Sequence, residues 1–383
     1  MEGKEVAIVG VGIHKFGRFG DKPFTEIAAE AIRMALKDAT MDWADVQVAW
    51  CSEERLPLFT GPKIGAALGR TGISICDVEG ACASGAIALR DGIFAIQSGA
   101  FDNALVFGVE KMPRGFMDPT ITYDRWQVQM GLSTNPSYWS MSARRYMHEH
   151  GLTDLHLAKI AYKNHKYSVH NPYAMYQKEF TFEEILNSPV VCDPIHLYEI
   201  CAPNEGAAAV ILCPKEMAHK YTSKPVTVAA CVHSLGLYSS DFRAPMTQLS
   251  ARISNPSPTT LAARKAYEQA GIGPEDVDVA EVQDTDAFME LTHYEELDWC
   301  QPGEGGRLVD EGATELGGRI PVNLSGGLIS KGEPIGASHL GQVVGLVWQL
   351  RGELGPMTVE GAEVALAHVT GAMGHSGVTI LKK

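Results

Sequence analysis

The feature that most constrains the fold of this chain is an internal echo. Val6-Ala7-Ile8-Val9-Gly10-Val11-Gly12 has the composition of a buried strand running into glycine, and a helical run, 25–39, and a second strand-like segment, Trp43 to Trp50, follow it. The second half repeats this order: an apolar segment from Pro225 to Val232, a helical run over 259–270, then Gly273 to Val282, with an Asp-Val step before the second strand in both copies. Further on, Cys82-Ala83-Ser84-Gly85 opens one long apolar helix and Ile335-Gly336-Ala337-Ser338-His339 opens another, each followed by a strand, near 103–109 and 363–368. Alternating strands and helices predict α/β layering with helices covering the sheets. The recurrence predicts two duplicated α/β halves, 1–223 and 224–383, divided near Ser223-Lys224-Pro225.

One stretch breaks the echo. From about 111 to 190 the first half carries a helical and loop insertion dense in aromatic and Met residues, among them Phe116, Met117, Tyr123, Trp126, Tyr138 and Trp139. Such residues suit an acyl pocket or a subunit interface, and they suit the core of an inserted subdomain equally well.

Composition excludes several classes of function. At 383 residues, 45% hydrophobic and 20% charged, the chain has enough apolar material for a large core. A net charge of -14 with no Lys/Arg run argues against a nucleic-acid partner. No apolar stretch reaches bilayer length and no charged-then-apolar leader pattern opens the chain, so the expectation is a cytoplasmic protein with no membrane partner. The eight cysteines are scattered without a C-x-x-C pair, which fits neither a zinc site nor a disulfide framework, and no metal is expected in this chain.

Among those cysteines Cys82 has the most distinctive setting. It follows the apolar run 73–78 and opens a helix whose Ala86, Leu89, Ile93 and Ile96 recur with helical spacing. A thiol there faces unpaired N–H groups and the positive end of the helix dipole, which predicts a lowered pKa and a thiolate nucleophile. The small residues around it let a substrate approach closely, while burial as a structural cysteine is the competing reading.

Three further blocks give that window a context: Asn323-Leu324-Ser325-Gly326-Gly327-Leu328-Ile329-Ser330-Lys331-Gly332-Glu333-Pro334, the tail Ala367-His368-Val369-Thr370-Gly371-Ala372-Met373-Gly374, and Glu281-Val282-Gln283-Asp284. Together with the Cys82 window and Cys201-Ala202-Pro203-Asn204-Glu205-Gly206, they resemble the thiolase superfamily in its sterol-carrier and archaeal branch. The resemblance implies two pseudo-symmetric βαβαβαββ halves in α/β/α/β/α layers. It also implies a CoA thioester substrate, coenzyme A as co-substrate, and Cys82 as the nucleophile that becomes acylated. The backbone N–H groups of Cys82 and Gly371 match the family's oxyanion donors.

The chain departs from the family pattern at the residues that move protons. Glu333 stands where the family has the His of Gly-His-Pro, Gln283 replaces the His of His-Asp-Cys-Phe, and Thr285 replaces the Cys of that motif. Val369 stands at the other acid/base cysteine. A Glu333 carboxyl raised by burial would be able to donate a proton, and Gln283 keeps an N–H donor. His339 places an imidazole beside the altered motif, either as a substitute acid/base or as a helix-packing residue. Asp286, His293 and His375 are weaker candidates.

Within the superfamily, the Gly-Glu-Pro block resembles thiolase-like subunits that work beside a small zinc-ribbon/OB-fold partner around a homodimeric core. The expected activity is CoA-dependent retro-Claisen cleavage of a bulky β-ketoacyl-CoA, with 2-benzoylsuccinyl-CoA, giving benzoyl-CoA and succinyl-CoA, as the named candidate. Two alternatives stand beside it. One is a retro-aldolase on a steroid side-chain β-hydroxyacyl-CoA, with Tyr294 as candidate base; the other is a non-catalytic thiolase-like binding subunit.

Overall fold

The computed structural model describes residues 3–115, 125–131, 134–237 and 256–383. Phe116, Met117 and Tyr123 of the aromatic insertion lie outside these residues.

The first strand, β1 (Val6–Gly17), is covered on both faces, which is why its sequence starts as an unbroken apolar run. Val6 and Ile8 turn into one hydrophobic core, Ala7 and Val9 into another. Helix α1 (Phe24–Asp38) seals the second of these with Ile27, Ala28, Ala31, Ile32 and Ala35, spaced to share one helical face. The half continues through β2 (Val48–Ser52), α2 (Thr60–Leu68), β3 (Ser74–Val78), α3 (Ser84–Gln97) and β4 (Ala104–Lys111). The insertion follows, with α4 (Arg125–Gln129), α5 (Asn135–His150), α6 (Asp154–Ser168), α7 (Phe182–Leu186) and a hairpin of β5 (Val190–Cys192) and β6 (Ile195–His196). Strand β7 (Glu205–Pro214) then returns to the sheet and completes a βαβαβαββ order.

The second half runs β8 (Val226–Ser234), α8 (Pro258–Ala270), β9 (Val279–Glu281), α9 (Ala287–Glu296), α10 (Gly305–Asp310), α11 (Ile335–Arg351), β10 (Val364–Gly371) and β11 (His375–Lys382). Local signals set its helix ends: Ser257 caps α8 by accepting the Thr260 N–H at 3.1 Å, and Gly271 closes it in the left-handed region.

The strands align in the order β3-β2-β4-β7-β1-β8-β11-β10-β9. Counting only the strands of this sheet, each half therefore places, outward from the centre, its first strand, then its last, its last but one, and its second. The third strand of the second half is reduced to a single parallel bridge, Ala280 to Val322. Pro321 can accept from the Ala280 N–H (2.9 Å) but has no N–H to give, and Asn323 turns into the left-handed region at φ 57°, so the ladder stops there. At the centre, β1 and β8 join the halves through three antiparallel pairs, Val6–Val228, Ala7–Thr227 and Ile8–Val226.

Helices α1 and α2 cover the outer face of the first half, and α8 covers β8 and β11. Between the halves, α3 and α11 pack on each other and on strands of both halves. The result is the α/β/α/β/α layering. No helix of the described residues is long and apolar enough to cross a membrane.

This topology puts several loops on one edge. Strands β2, β3 and β4 are mutually parallel and end there, and β7, antiparallel to β4, begins there with Glu205 opposite Lys111. Loops at the carboxyl ends of parallel strands are where α/β folds build ligand sites.

Candidate active site

Cys82 lies in the tight turn Ala81–Ala83 between β3 and α3. The turn is strained and pinned. Ala81, with φ +52°, occupies the left-handed region that a Cβ disfavours. Ser84 Oγ accepts the Gly80 N–H (2.8 Å) and donates to the Ala81 carbonyl (2.6 Å), while the Ala81 N–H donates to Glu79 Oε1 (2.9 Å). From the second half, the end of β10 presses on the same turn. A Cβ on Gly371 would sit 2.8 Å from the Gly80 carbonyl oxygen and 3.0 Å from the Ala83 nitrogen, so close approach demands glycine at this position. Val369 packs with Ala83 and Ala86 in the small apolar cluster against which Cys82 rests.

Glu333 arrives on the loop between Asn323 and α11. Asp284 holds that loop through the N–H groups of Leu328 (2.6 Å) and Ile329 (3.1 Å), and Lys331 donates to Ser325 Oγ (2.6 Å). Gly332 turns at φ +111°, where a Cβ would meet Asn204 Nδ2 at 1.7 Å. Glu333 then runs alongside the segment before β7: its N–H donates to the Ala202 carbonyl (3.0 Å), and the Asn204 N–H donates to the Glu333 carbonyl (3.3 Å).

The Glu333 carboxyl is the hub of the site. Gln283 Nε2 donates to its Oε1 at 2.8 Å, and the thiols of Cys82 and Cys201 are close enough to act on its charge. Burial raises the Glu333 carboxyl above the usual carboxylate range, against the lowering effect of these three neighbours. The Gln283 side chain is fully buried, and its Oε1 has no partner among the described residues.

The structure corrects the expected Cys82 pKa and favours the helix-packing reading of His339. The Cys82 thiol is pushed well above the ordinary thiol value, first by burial and then by the charges of Glu333 and Glu54, rather than lowered by the helix N-terminus. It is therefore a neutral thiol, and attack by it would require a base to take its proton. His339 is a packing residue: its ring bonds Gln342 Oε1 through Nδ1 (3.1 Å) and Thr379 Oγ1 through Nε2 (3.3 Å). It sits where α3 and α11 cross, so that a Cβ on Gly85 would lie 3.2 Å from His339 Cβ. Burial lowers its pKa to about 4, which leaves it uncharged.

The remaining sequence candidates have other partners. Tyr294 is fully buried and donates to Glu290 Oε1 at 2.5 Å. Asp286 caps α9 through the Phe288 and Met289 N–H groups at 2.8 and 3.1 Å. His293 Nδ1 pairs with Glu296 (2.8 Å), and His375 Nδ1 with His233 Nε2 (2.9 Å). The Thr285 carbonyl accepts the Cys201 N–H at 2.8 Å. Among the described residues, no group of three or more His, Cys, Asp or Glu is arranged to hold a metal ion.

Two residues at the site were not legible in the sequence as functional groups, Cys201 and Glu54. The signal for Cys201 was topological: it stands just before β7, whose start lies on the edge where β3 ends. Glu54 follows β2 on that same edge, is itself raised by burial, and forms an ion pair with Arg55 at 3.0 Å.

Comparison with known proteins agrees with this architecture. Residues 6–216 match the thiolase N-terminal domain family, and residues 246–383 the thiolase C-terminal domain-like family. The chain is 38% identical to an acetyl-CoA acetyltransferase of Methanothermobacter thermautotrophicus, over 97% of both chains. It is 35% identical to the benzoylsuccinyl-CoA thiolase subunit BbsB of Thauera aromatica, covering 96% of this chain and 95% of that one. The solved Ltp2-ChsH2(DUF35) aldolase has the same fold, with a TM-score of 0.86 at 23% identity over 99% of this chain and 98% of that one. Both halves and nearly the whole length are thus accounted for, and the chain belongs to the thiolase family as an acyltransferase of that type.

Proposed function

We propose that this chain is an atypical thiolase subunit that cleaves a bulky β-ketoacyl-CoA with free coenzyme A through an acyl group carried on Cys82. The observation that carries this reading is the placement of Cys82, in the turn before α3, beside the buried Glu333 carboxyl that Gln283 Nε2 holds at 2.8 Å. A neutral thiol attacks a ketone only as its proton leaves, and Glu333 accepts that proton, the role that imidazole usually fills. A carboxylate raised by burial is a stronger base than a solvated one and suits that transfer. Gln283 fixes the carboxyl from the other side. The N–H groups of Cys82 and Gly371 receive the oxyanion, an arrangement in which one donor contributes on the order of 10²–10³ in rate. Collapse breaks the carbon–carbon bond, and coenzyme A then collects the acyl group from sulfur.

For the substrate we infer an aryl ketone of the 2-benzoylsuccinyl-CoA type, cleaved to benzoyl-CoA and succinyl-CoA. Support comes from the end-to-end similarity to BbsB and from the aromatic insertion, where Tyr138 and Tyr146 are buried and Trp126 stays exposed. The halves divide near Ser223-Lys224-Pro225, and the working assembly is cytoplasmic. It is a homodimeric core with a small zinc-ribbon/OB-fold partner, the zinc belonging to that partner. The outer position of β3 in the sheet, with Cys76 exposed, supports the first contact. The description of BbsB as a thiolase subunit, and the two-component name of the Ltp2-ChsH2(DUF35) aldolase, support the second.

The test is a substrate comparison with the full chain. The expected result is CoA-dependent cleavage of 2-benzoylsuccinyl-CoA with a kcat/KM at least ~10-fold above that for acetoacetyl-CoA. Cleavage of a steroid side-chain β-hydroxyacyl-CoA in the absence of free coenzyme A would favour retro-aldol chemistry and sink the proposal.

A further inference from the structure

Acyl transfer to Cys82 accounts for only part of the chemistry. When the carbon–carbon bond breaks, the departing acyl-CoA leaves as an enolate whose α carbon must receive a proton. Both positions at which the family keeps an acid/base cysteine are filled here by groups without a thiol, Thr285 and Val369. The structure nevertheless brings a second thiol to the site from a different segment.

Cys201 is held in place by its own backbone and by its neighbours. Its N–H donates to the Thr285 carbonyl (2.8 Å), and the residues after it run beside Glu333 through the Glu333-to-Ala202 (3.0 Å) and Asn204-to-Glu333 (3.3 Å) backbone bonds. Pro203 pairs with Glu333 as an isolated bridge, which sets the Cys201 side chain beside the carboxyl that Cys82 also borders. Gln283 Nε2 fixes that carboxyl at 2.8 Å. The Gln283 amide also leaves its Oε1 buried without a partner among the described residues, an acceptor suited to a donor brought in by a ligand, such as the S–H of coenzyme A.

We propose that Cys201 is a second catalytic thiol, which protonates the α carbon of the departing acyl-CoA and is recharged through Glu333. The proposal rests on the Cys82 acyl-enzyme reading. Cys82 gives its proton to the Glu333 carboxylate as its sulfur bonds to the ketone carbon. The Cα–Cβ bond breaks to leave acyl-Cys82 and an enolate, and the enolate carbon takes the proton of Cys201, leaving a thiolate. Glu333 passes its proton to that thiolate. In the second half-reaction, coenzyme A gives its thiol proton to Glu333 as it takes the acyl group, and the released Cys82 thiolate recovers that proton. Burial and the neighbouring Glu333 charge keep Cys201 in its neutral, proton-carrying form at rest, as an acid requires.

This division of labour separates two measurable rates. Exchange of isotope-labelled coenzyme A into benzoyl-CoA is acyl transfer and needs no carbon proton. Wash-in of deuterium from D2O at the α carbon of succinyl-CoA is carbon proton transfer. Cys201→Ala should lower the ratio of α-carbon exchange to label exchange by ~100-fold or more, the usual scale for losing a positioned acid or base. Cys201→Ser keeps the size of the side chain and should lower the ratio to a lesser degree. An unchanged ratio in both variants, whether neither rate falls or both fall together, would overturn the role of Cys201 while leaving Cys82 intact. A wild-type chain that exchanges no labelled coenzyme A would instead overturn the acyl-enzyme reading, and this proposal with it.

Discussion

At Cys82 two electrostatic effects compete. A helix N-terminus stabilises a nearby negative charge by about 0.3–1 kcal/mol at a surface and about 2 kcal/mol in favourable buried geometries. Taking the thiolate out of water beside two carboxylates, Glu333 and Glu54, opposes it and wins, so the thiol stays protonated. Position at a helix start was visible in the sequence, but burial and the identity of neighbours from distant segments were not. The same limit explains His339, which the Ile335–His339 window marked beside the altered motif without revealing which face of α11 it takes. The base proposed here is Glu333. Because burial raises its carboxyl, the acid limb of kcat/KM should lie above the ordinary carboxylate range, and Glu333→Gln should lose that limb along with ~10²–10⁴ of activity. The stability effect has the opposite sign. A raised carboxyl favours the fold fully below its ordinary value near 4.5, and that contribution is lost as the pH rises through the raised value. Glu333→Gln should therefore melt above wild type at neutral pH, with the gain shrinking as the pH falls towards 4.5, as thermal melts at both pH values would report.

At the scale of elements, strands and helices were legible wherever one period dominated, as in the apolar run of β1 and the spaced alanines of α1. The Glu333 loop was legible only as a motif, because what holds it is a buried polar network drawn from three parts of the chain. Lys163 on α6 pairs with Glu290 on α9 at 2.9 Å, both almost fully buried. Asn164 donates to Glu290 (2.7 Å) and to Asp284 (2.9 Å), and Asn323 donates to Glu290 (2.8 Å). The insertion thereby supports the site from below, since α6 supplies the cation that pairs with Glu290 and the amide that hydrogen-bonds both carboxyl groups under the loop. Lys163→Met leaves Glu290 charged and unpaired and should cost ~3–5 kcal/mol in urea unfolding. Adding Glu290→Gln should recover part of that loss, since the uncompensated charge is then gone.

At the scale of the whole molecule, the two halves of a duplicated fold meet at the candidate site. Duplication was readable from the repeated strand–helix–strand order, and the shared strand order of the two halves follows from it. Loss of the third strand in the second copy was not readable, because it depends on Pro321 and the left-handed turn at Asn323 ending a ladder that composition alone would continue. With that strand reduced, the chain it would have used forms the loop that delivers Glu333 across to the first half. Cys82 and Cys201 come from one copy, Gln283, Glu333 and Gly371 from the other, and the α3–α11 layer between the copies holds them in register. Acylation of Cys82 by substrate is the central claim. The direct measurement is peptide mass spectrometry of the full chain quenched during turnover of 2-benzoylsuccinyl-CoA. The predicted result is a benzoyl adduct on the Cys82 peptide that coenzyme A removes and that Cys82→Ala lacks. An unmodified Cys82 peptide, together with a Cys82→Ala chain that cleaves the substrate at the wild-type rate, would contradict it.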